Sequence, residues 1–384
     1  DNAVKGLVFG ADSDVVQSGR VSTVQAIGGT GGLKIGADFL KKVSPQAKVL
    51  ISDPTLRDGN HAIRHQLTRE SFIAYCRAAE AAGVPIVEVG HGNGLGASSM
   101  LVGECKLSDD EILSVSRENL VKTRLAIHLI PGFCTIKNDL AKAVDLGVDI
   151  FRVGSHCTEA DITGRHIEYA RNAGREAYGV LMMSHMATPA VLLEEAKKME
   201  SYGAEAIMIM DSAGTYFPDD VTERISTLVN GLNIPVGFHG HNNLGMAVIN
   251  SVAAVNAGAS ILDGSIRGFG AGAGNTQLEV LVAVLERLGF ETGVDLYKIL
   301  DAADLAEKEF NPIAPFSSPI SIISGLAGVF SGFSKQVSRT AHDYKVDPRD
   351  IFFALGKRNA VAGQESLIIE VAQEIAEENE NRKG

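Results

Sequence analysis

No two of the four cysteines (Cys76, Cys105, Cys134 and Cys157) are close enough to make a CxxC pair. Such wide spacing argues for reduced thiols in a cytoplasmic protein and against a disulfide frame. Apolar runs that approach the ~20 residues of a membrane span are missing as well. No cluster of Lys and Arg offsets the net charge of -12. An excess of negative charge repels phosphate backbones, so nucleic acid is not an expected partner. The opening Asp1-Asn-Ala-Val-Lys-Gly6 has neither the basic start nor the apolar core of a signal peptide. It also has no initiating Met, and the chain is expected to begin partway into a longer one. What remains is a globular composition, 45% hydrophobic and 21% charged over 384 residues. That length can bury one large core with an appendage.

From about residue 48 onward short apolar runs alternate with amphipathic stretches. Strands are expected at 48–52, 85–89, 124–130, 150–153, 178–183, 206–210, 235–238 and 261–263. Helical patterns lie between them, at 68–82, 140–146, 188–202 and 219–230 among others. The third opens with Thr188-Pro189, a capping residue followed by proline at the first helical position. Several helices stop near a glycine (Gly83, Gly147, Gly174, Gly203, Gly258, Gly289), as helix C-termini commonly do. Eight strand–helix units predict a (β/α)8 barrel, with an open doubly wound sheet as the alternative.

Unusual chemistry follows each apolar run. The segments are Thr55-Leu-Arg-Asp-Gly59, Gly90-His-Gly-Asn-Gly94, Pro131-Gly132, Gly154-Ser-His-Cys-Thr-Glu159, Ser184-His185, Asp211-Ser-Ala-Gly214, His239-Gly-His-Asn-Asn243 and Arg267-Gly-Phe-Gly-Ala-Gly-Ala-Gly-Asn275. In a barrel all eight loops open on the C-terminal face, where such folds build their sites. Beyond residue 290 the stretches 296–309, 321–342 and 348–378 read as largely helical, and the charged tail 377–384 is expected to fray. The domains expected are an N-terminal extension (1–48), a barrel (49–290) and a C-terminal helical region (291–384).

His239 and His241 sit at i and i+2 of a strand end, so both side chains face one side. With Asp58 from the first barrel loop they form a set of two histidines and one carboxylate that leaves positions open for substrate and water. The ligand types alone fit both redox and Lewis-acid chemistry, while the barrel context and Arg57 favour the Lewis acid. Arg57 offers a fixed charge and a planar fork for a carboxylate or a developing enolate. His61, on the same loop, titrates near neutrality and is a candidate general base. The glycine-rich Arg267–Asn275 loop has the spacing of a weak anion cradle. His91, His156 and His185 have no definite partner in the pattern.

These residues also carry a resemblance. Thr55-Leu-Arg-Asp-Gly-Asn-His-Ala-Ile-Arg-His65, Ser155-His-Cys-Thr-Glu-Ala-Asp161, Met182-Met-Ser-His185, Asp211-Ser212, His239-Gly-His-Asn-Asn-Leu244, Gly270-Ala-Gly-Ala-Gly-Asn275 and Gly363-Gln-Glu365 resemble the 4-hydroxy-2-oxovalerate aldolase family. That family belongs to the metal-dependent pyruvate aldolases, in the barrel group similar to isopropylmalate synthase. The resemblance spans about residues 49–375. It implies a lyase that cleaves 4-hydroxy-2-oxopentanoate to pyruvate and acetaldehyde, in a meta-cleavage route of aromatic catabolism. It also implies a divalent cation, usually Mn2+ (with Mg2+ or another cation as substitutes), and an acylating acetaldehyde dehydrogenase as partner. Carried over residue by residue, Asp58, His239 and His241 would hold the metal. Arg57 would steady the enolate and His61 would take the C4 hydroxyl proton. Ser212, together with Arg57 and His239, would bind substrate.

Three features depart from the family pattern. Phe330 stands where a tyrosine is usual over the substrate, and Asn93 where an aspartate is usual; altered selectivity rather than lost activity is expected. Residues 1 to about 54 are longer than the family's lead-in and resemble a segment of class I aspartate/aromatic aminotransferases. The Schiff-base lysine region of that fold is missing, so pyridoxal phosphate chemistry is not expected. Two alternatives to the aldolase are a Claisen-type condensing enzyme acting on an acyl-CoA and a 2-oxo acid, and a non-catalytic chimera.

Overall fold

The computed structural model describes residues 48–310, 315–361 and 363–381. Most of the expected extension, residues 1–47 with the aminotransferase-like letters, lies outside them. Among the described residues eight parallel strands close into a barrel in sequence order, β1 beside β8. They are β1 (Leu50–Leu56), β2 (Ile86–Val89), β3 (Arg124–Leu129), β4 (Ile150–His156), β5 (Glu176–Met182), β6 (Ala206–Asp211), β7 (Val236–Gly240) and β8 (Ile261–Asp263). Closure decides against the open sheet. All eight expected strands are present, with ends shifted by up to four residues.

Helices follow the strands: α1 (Arg69–Ala82), α2 (Asp109–Asn119), α3 (Ala141–Asp145), α4 (Gly164–Asn172), α5 (Pro189–Ser201), α6 (Pro218–Gly231), α7 (Ala247–Asn256) and α8 (Leu278–Leu288). Their ends are set locally. The Thr68 side chain accepts from Ser71 N–H at the start of α1, and Gly83 ends it at φ 73°, a conformation that favours glycine. Thr188 and Pro189 start α5 as expected.

Alternation along the strands sorts the barrel interior into layers. Ile86, Ala126, Ile150 and Ile261 belong to one buried apolar cluster with Tyr178, Ala206 and Met208. Two residues farther along each of those four strands the inward position turns polar: Glu88, His128, Arg152 and Asp263, all buried. The barrel is therefore greasy toward its N-terminal end and charged toward its C-terminal mouth.

One irregularity aims the first loop. Asp53 pairs with Val87 but Leu56 pairs with Val89, so β1 spends one extra residue there. Pro54, which has no N–H for the ladder, sits in this bulge, and its carbonyl accepts from Arg57 N–H at 3.0 Å.

After the barrel come α9 (Leu296–Phe310), α10 (Pro319–Ala327), α11 (Ser334–Tyr344), α12 (Pro348–Lys357) and α13 (Ser366–Asn381). Two of the stretches expected to be largely helical are each divided into two helices. Gly328, at φ 64°, caps α10 and a short turn over Ser331–Phe333 leads into α11. The tail expected to fray continues α13 as far as Asn381. An apolar cluster that includes Val329, Phe333, Val337, Ile351, Phe352 and Ile368 holds this region together. Among the described residues no helix is long and apolar enough to cross a membrane.

Candidate metal centre and its surroundings

Asp58, His239 and His241 come together at the mouth, each offering a ligand atom within 4.8 Å of the others. Asp58 arrives from the turn after β1, His239 from the end of β7, and His241 from just beyond it, bridged to Asn275. All three are buried. Nε2 of His239 and Nδ1 of His241 are buried without a hydrogen-bond partner. Orphaned polar atoms of this kind are uncommon in folded proteins, and two imidazoles beside a carboxylate suit a divalent cation.

Electrostatics keep Asp58 and His241 in ligating form. Burial pushes Asp58 upward, but Arg57 and the facing histidines overcome it and hold the carboxyl well below its usual range. Burial lowers His241 to about 3. The Asn275 side-chain amide donates to Asp58 Oδ2 at 2.7 Å and fixes the carboxylate from behind. The glycine-rich loop expected as an anion cradle also supports the carboxylate. The amides of Gly268, Phe269, Gly274 and Asn275 are used by backbone carbonyls, and the loop presents Asn275 to Asp58.

Behind the centre runs a chain of buried ion pairs. His239 Nδ1–H donates to Asp263 Oδ2 at 2.8 Å, which leaves Nε2 as the ligating nitrogen. Arg152 Nη2 donates to the same oxygen at 2.6 Å, and its Nη1 pairs with Glu88. Glu88 in turn accepts from Arg57 Nε. Arg57 closes the chain on Asp58 with Nη1 at 2.9 Å, and the same atom reaches the Gly92 carbonyl at 3.2 Å. Every partner is nine-tenths buried or more. Nη2 of Arg57 is left buried and unpartnered, free for an oxygen of a bound molecule.

His61 sits at the end of the same turn as Asp58, partly buried. The Gly92 backbone and the Asn93 side chain lie beside its ring. Burial lowers it below the usual histidine value, so it is unprotonated near neutrality. A Cβ on Gly92 would lie 2.4 Å from His61 Nε2, so the loop passes directly beneath the ring. Ser212 is buried, and its hydroxyl oxygen accepts from Met183 N–H at 2.9 Å. That bond pins Met183 in the left-handed region at φ 52°. The Ser212 proton remains available to donate.

The sequence reading missed Glu88, Arg152, Asp263, His128 and the support that Asn275 gives Asp58. A signal was present: single charged letters inside strands otherwise apolar on both faces, as in Ile86-Val-Glu-Val89 and Ile150-Phe-Arg-Val153. The lone histidines have partners. Nδ1 of His156 is 2.8 Å from the Thr158 hydroxyl, and His185 Nε2 donates to the Gly328 carbonyl at 2.9 Å. The latter contact ties the end of α10 to the loop after β5. Asn243 ties the C-terminal region to the loop after β7, donating to Ser331 Oγ at 2.7 Å and to the Ser321 carbonyl at 3.0 Å. Phe330 packs against the C-terminal cluster, its ring centroid 6.1 Å from that of Phe333.

Residues 48–306 match the family described as HMGL-like, and residues 315–377 match the DmpG-like communication domain. The chain is 78% identical over 334 residues to a 4-hydroxy-2-oxovalerate aldolase of Pectobacterium atrosepticum, covering 87% of this chain and 97% of that protein. A protein of the same name from Spirochaeta aurantia is 63% identical over 332 residues, covering 86% and 97%. Among solved structures, the N-terminal domain of a putative aldolase from Bacteroides vulgatus superposes with a TM-score of 0.64 at 25% identity, covering 76% of this chain and 97% of that one. The carboxyl transferase domain of Rhizobium etli pyruvate carboxylase shares the fold, with a TM-score of 0.73 at 17% identity over 93% of this chain and 66% of that one.

Proposed function

The chain belongs to the 4-hydroxy-2-oxovalerate aldolase family and is a carbon–carbon lyase of the retro-aldol type, and from that premise we propose how its own residues divide the work. The condensing alternative is not favoured by these relatives. The substrate proposed is 4-hydroxy-2-oxopentanoate, released as pyruvate and acetaldehyde. Aromatic catabolism supplies the context.

Asp58, His239 and His241 would hold a divalent cation, with Mn2+ proposed and Mg2+ as a substitute. When bound, the cation supplies Lewis-acid polarisation of the 2-keto group. His61 takes the proton from the C4 hydroxyl. As the C4–O bond gains carbonyl character, the C3–C4 bond breaks and its electron pair passes to the 2-oxo side, giving the pyruvate enolate. Arg57 Nη2 faces the growing negative charge. A preorganised donor of this kind is worth about 3 kcal/mol on the barrier. Protonation at C3 then yields pyruvate. Ser212 and His239 line the substrate, and the Ser212 hydroxyl proton has an oxygen acceptor there.

The observation that carries this reading is the buried constellation itself. Two unpartnered imidazole nitrogens, one carboxylate and one unpartnered guanidinium nitrogen converge beside a neutral histidine. The match to the DmpG-like communication domain supports an acylating acetaldehyde dehydrogenase as the partner that receives the aldehyde. The domain division proposed is a lead segment before residue 49, the barrel, and the helical region after residue 290. The test is pyruvate release by metal-stripped protein, with and without Mn2+, alongside His61→Ala. Release that needs the metal and falls about 10²–10⁴-fold in the variant is expected. A folded protein that releases no pyruvate with Mn2+ refutes the assignment.

A further inference from the structure

Two histidines beside His61 have no part in the chemistry so far. His65 and His91 stack face to face, with ring centroids 3.8 Å apart and planes 9° apart. The edge of His65 meets His61 at 5.1 Å. Both rings are buried. The bland reading is ordinary core packing, and three features go beyond it.

His91 is fixed at both nitrogens. Its Nδ1 accepts from Asn93 N–H at 3.0 Å, and its Nε2–H then donates to the Gly103 carbonyl at 3.0 Å. Asn93 directly follows Gly92, whose backbone passes beneath the His61 ring. His65 occupies a costly backbone conformation: Arg64 and His65 are consecutive non-glycine residues in the left-handed region, at φ 55° and 60°. They are kept there by His65 N–H to the Asn60 carbonyl, 2.8 Å, and by Lys106 N–H to the His65 carbonyl, 3.0 Å. The contacts close a circuit, from His61 to the Gly92–Asn93 turn, to His91, to His65 and back to His61.

We propose that His91 is a positioning residue for His61, setting its ring through the Gly92–Asn93 turn on one side and through the stacked His65 on the other. Proton transfer is steep in donor–acceptor geometry, and a misplacement of about 1 Å can cost about 100-fold. Polarising the keto group and binding the carboxylate do not depend on where His61 stands. The inference rests on His61 as the base.

The experiment compares two reactions in the full chain loaded with Mn2+. Retro-aldol cleavage needs a base for the C4 hydroxyl. Decarboxylation of oxaloacetate, in which the C3–C4 bond breaks and carbon dioxide leaves, reaches the same enolate with no hydroxyl proton to remove. His91→Phe keeps a flat ring on His65 but loses both hydrogen bonds. It is expected to lower the retro-aldol kcat by about 10- to 100-fold, leaving KM and the decarboxylation rate within about twofold. His91→Asn keeps an acceptor for Asn93 N–H and should recover part of the loss; it also decides the matter by the same split if the Phe variant does not fold. In a His61→Ala background, His91→Phe should change the retro-aldol rate no further. Equal losses in both reactions, no loss in either, or an additive double variant overturns the proposal. A full retro-aldol rate in His61→Ala alone sinks the base assignment and this inference with it. A crippled His61→Ala beside an unaffected His91→Phe sinks this inference alone.

Discussion

Replacing Asp263 by Asn is the sharpest test of the buried ion-pair chain. The substitution keeps shape and one acceptor oxygen but removes the charge that Arg152 and His239 share through Oδ2. Arg152 would still face Glu88, so the loss of folding stability should be about 3 kcal/mol, the low end for a buried charge losing a partner. His239 would lose the carboxylate that fixes its tautomer and ring orientation. Such a change typically costs about 10- to 100-fold in metal affinity. The two effects separate by linkage. With Mn2+ at about 100 times the wild-type dissociation constant, the metal stabilises the wild type by about 2.7 kcal/mol. A site weakened 10- to 100-fold would retain only about 1.4 to 0.4 kcal/mol of that increment. Urea unfolding with and without Mn2+, beside a direct titration of stripped protein, reads both quantities. An unchanged metal increment would refute the claim that Asp263 acts through His239, even if the metal-free protein were weakened.

Arg57→Lys keeps a charge but not the planar fork that serves Glu88, Asp58 and Gly92 while leaving Nη2 free; kcat for pyruvate release should fall about 10²–10³-fold. A loss under about tenfold would deny the fork its importance. Gly92→Ala places a methyl 2.4 Å from His61 Nε2, so the ring must move. Folding by circular dichroism and Mn2+ affinity should be preserved while kcat drops about 100-fold. His61 works in its unprotonated form, and burial lowers its pKa below the ordinary 6.5. The acid limb of kcat/KM should therefore lie below pH 6.5, with activity lost as protons bind on going down. A limb at or above that value contradicts the burial of the ring.

The strand-end motifs were legible because loop letters such as Arg57-Asp58 and His239-Gly-His241 are rare together and need no tertiary context. The residues behind them were not. Glu88, Arg152 and Asp263 each stand alone in an apolar run, and only barrel closure shows that the two carboxylates pair with the one guanidinium. Element ends slipped for local reasons. The bulge at Pro54 lengthened β1 to Leu56, and His156 remained in register with Met182 beyond the apolar letters. Gly328 divided a stretch whose composition suits one helix. The order of eight strands was readable, since apolar runs alternated with helical patterns, several of them stopped by a glycine.

The buried charges also bear on how the chain closes. Arg152 and Asp263 are 111 residues apart, and Asn275 reaches Asp58 across 217. A nascent chain that has completed β4 already carries Glu88 and Arg152, yet the carboxylate that completes Arg152 arrives only with the last strand. Slipping β8 by one residue would turn Asp263 to the helix side and leave the buried Arg152 with Glu88 alone. The ring of charge therefore works as a register lock, in which wrong closures leave a buried ion short of a partner and the right one does not. The same letters that ready the mouth for a cation give the barrel a means of recognising its own final strand.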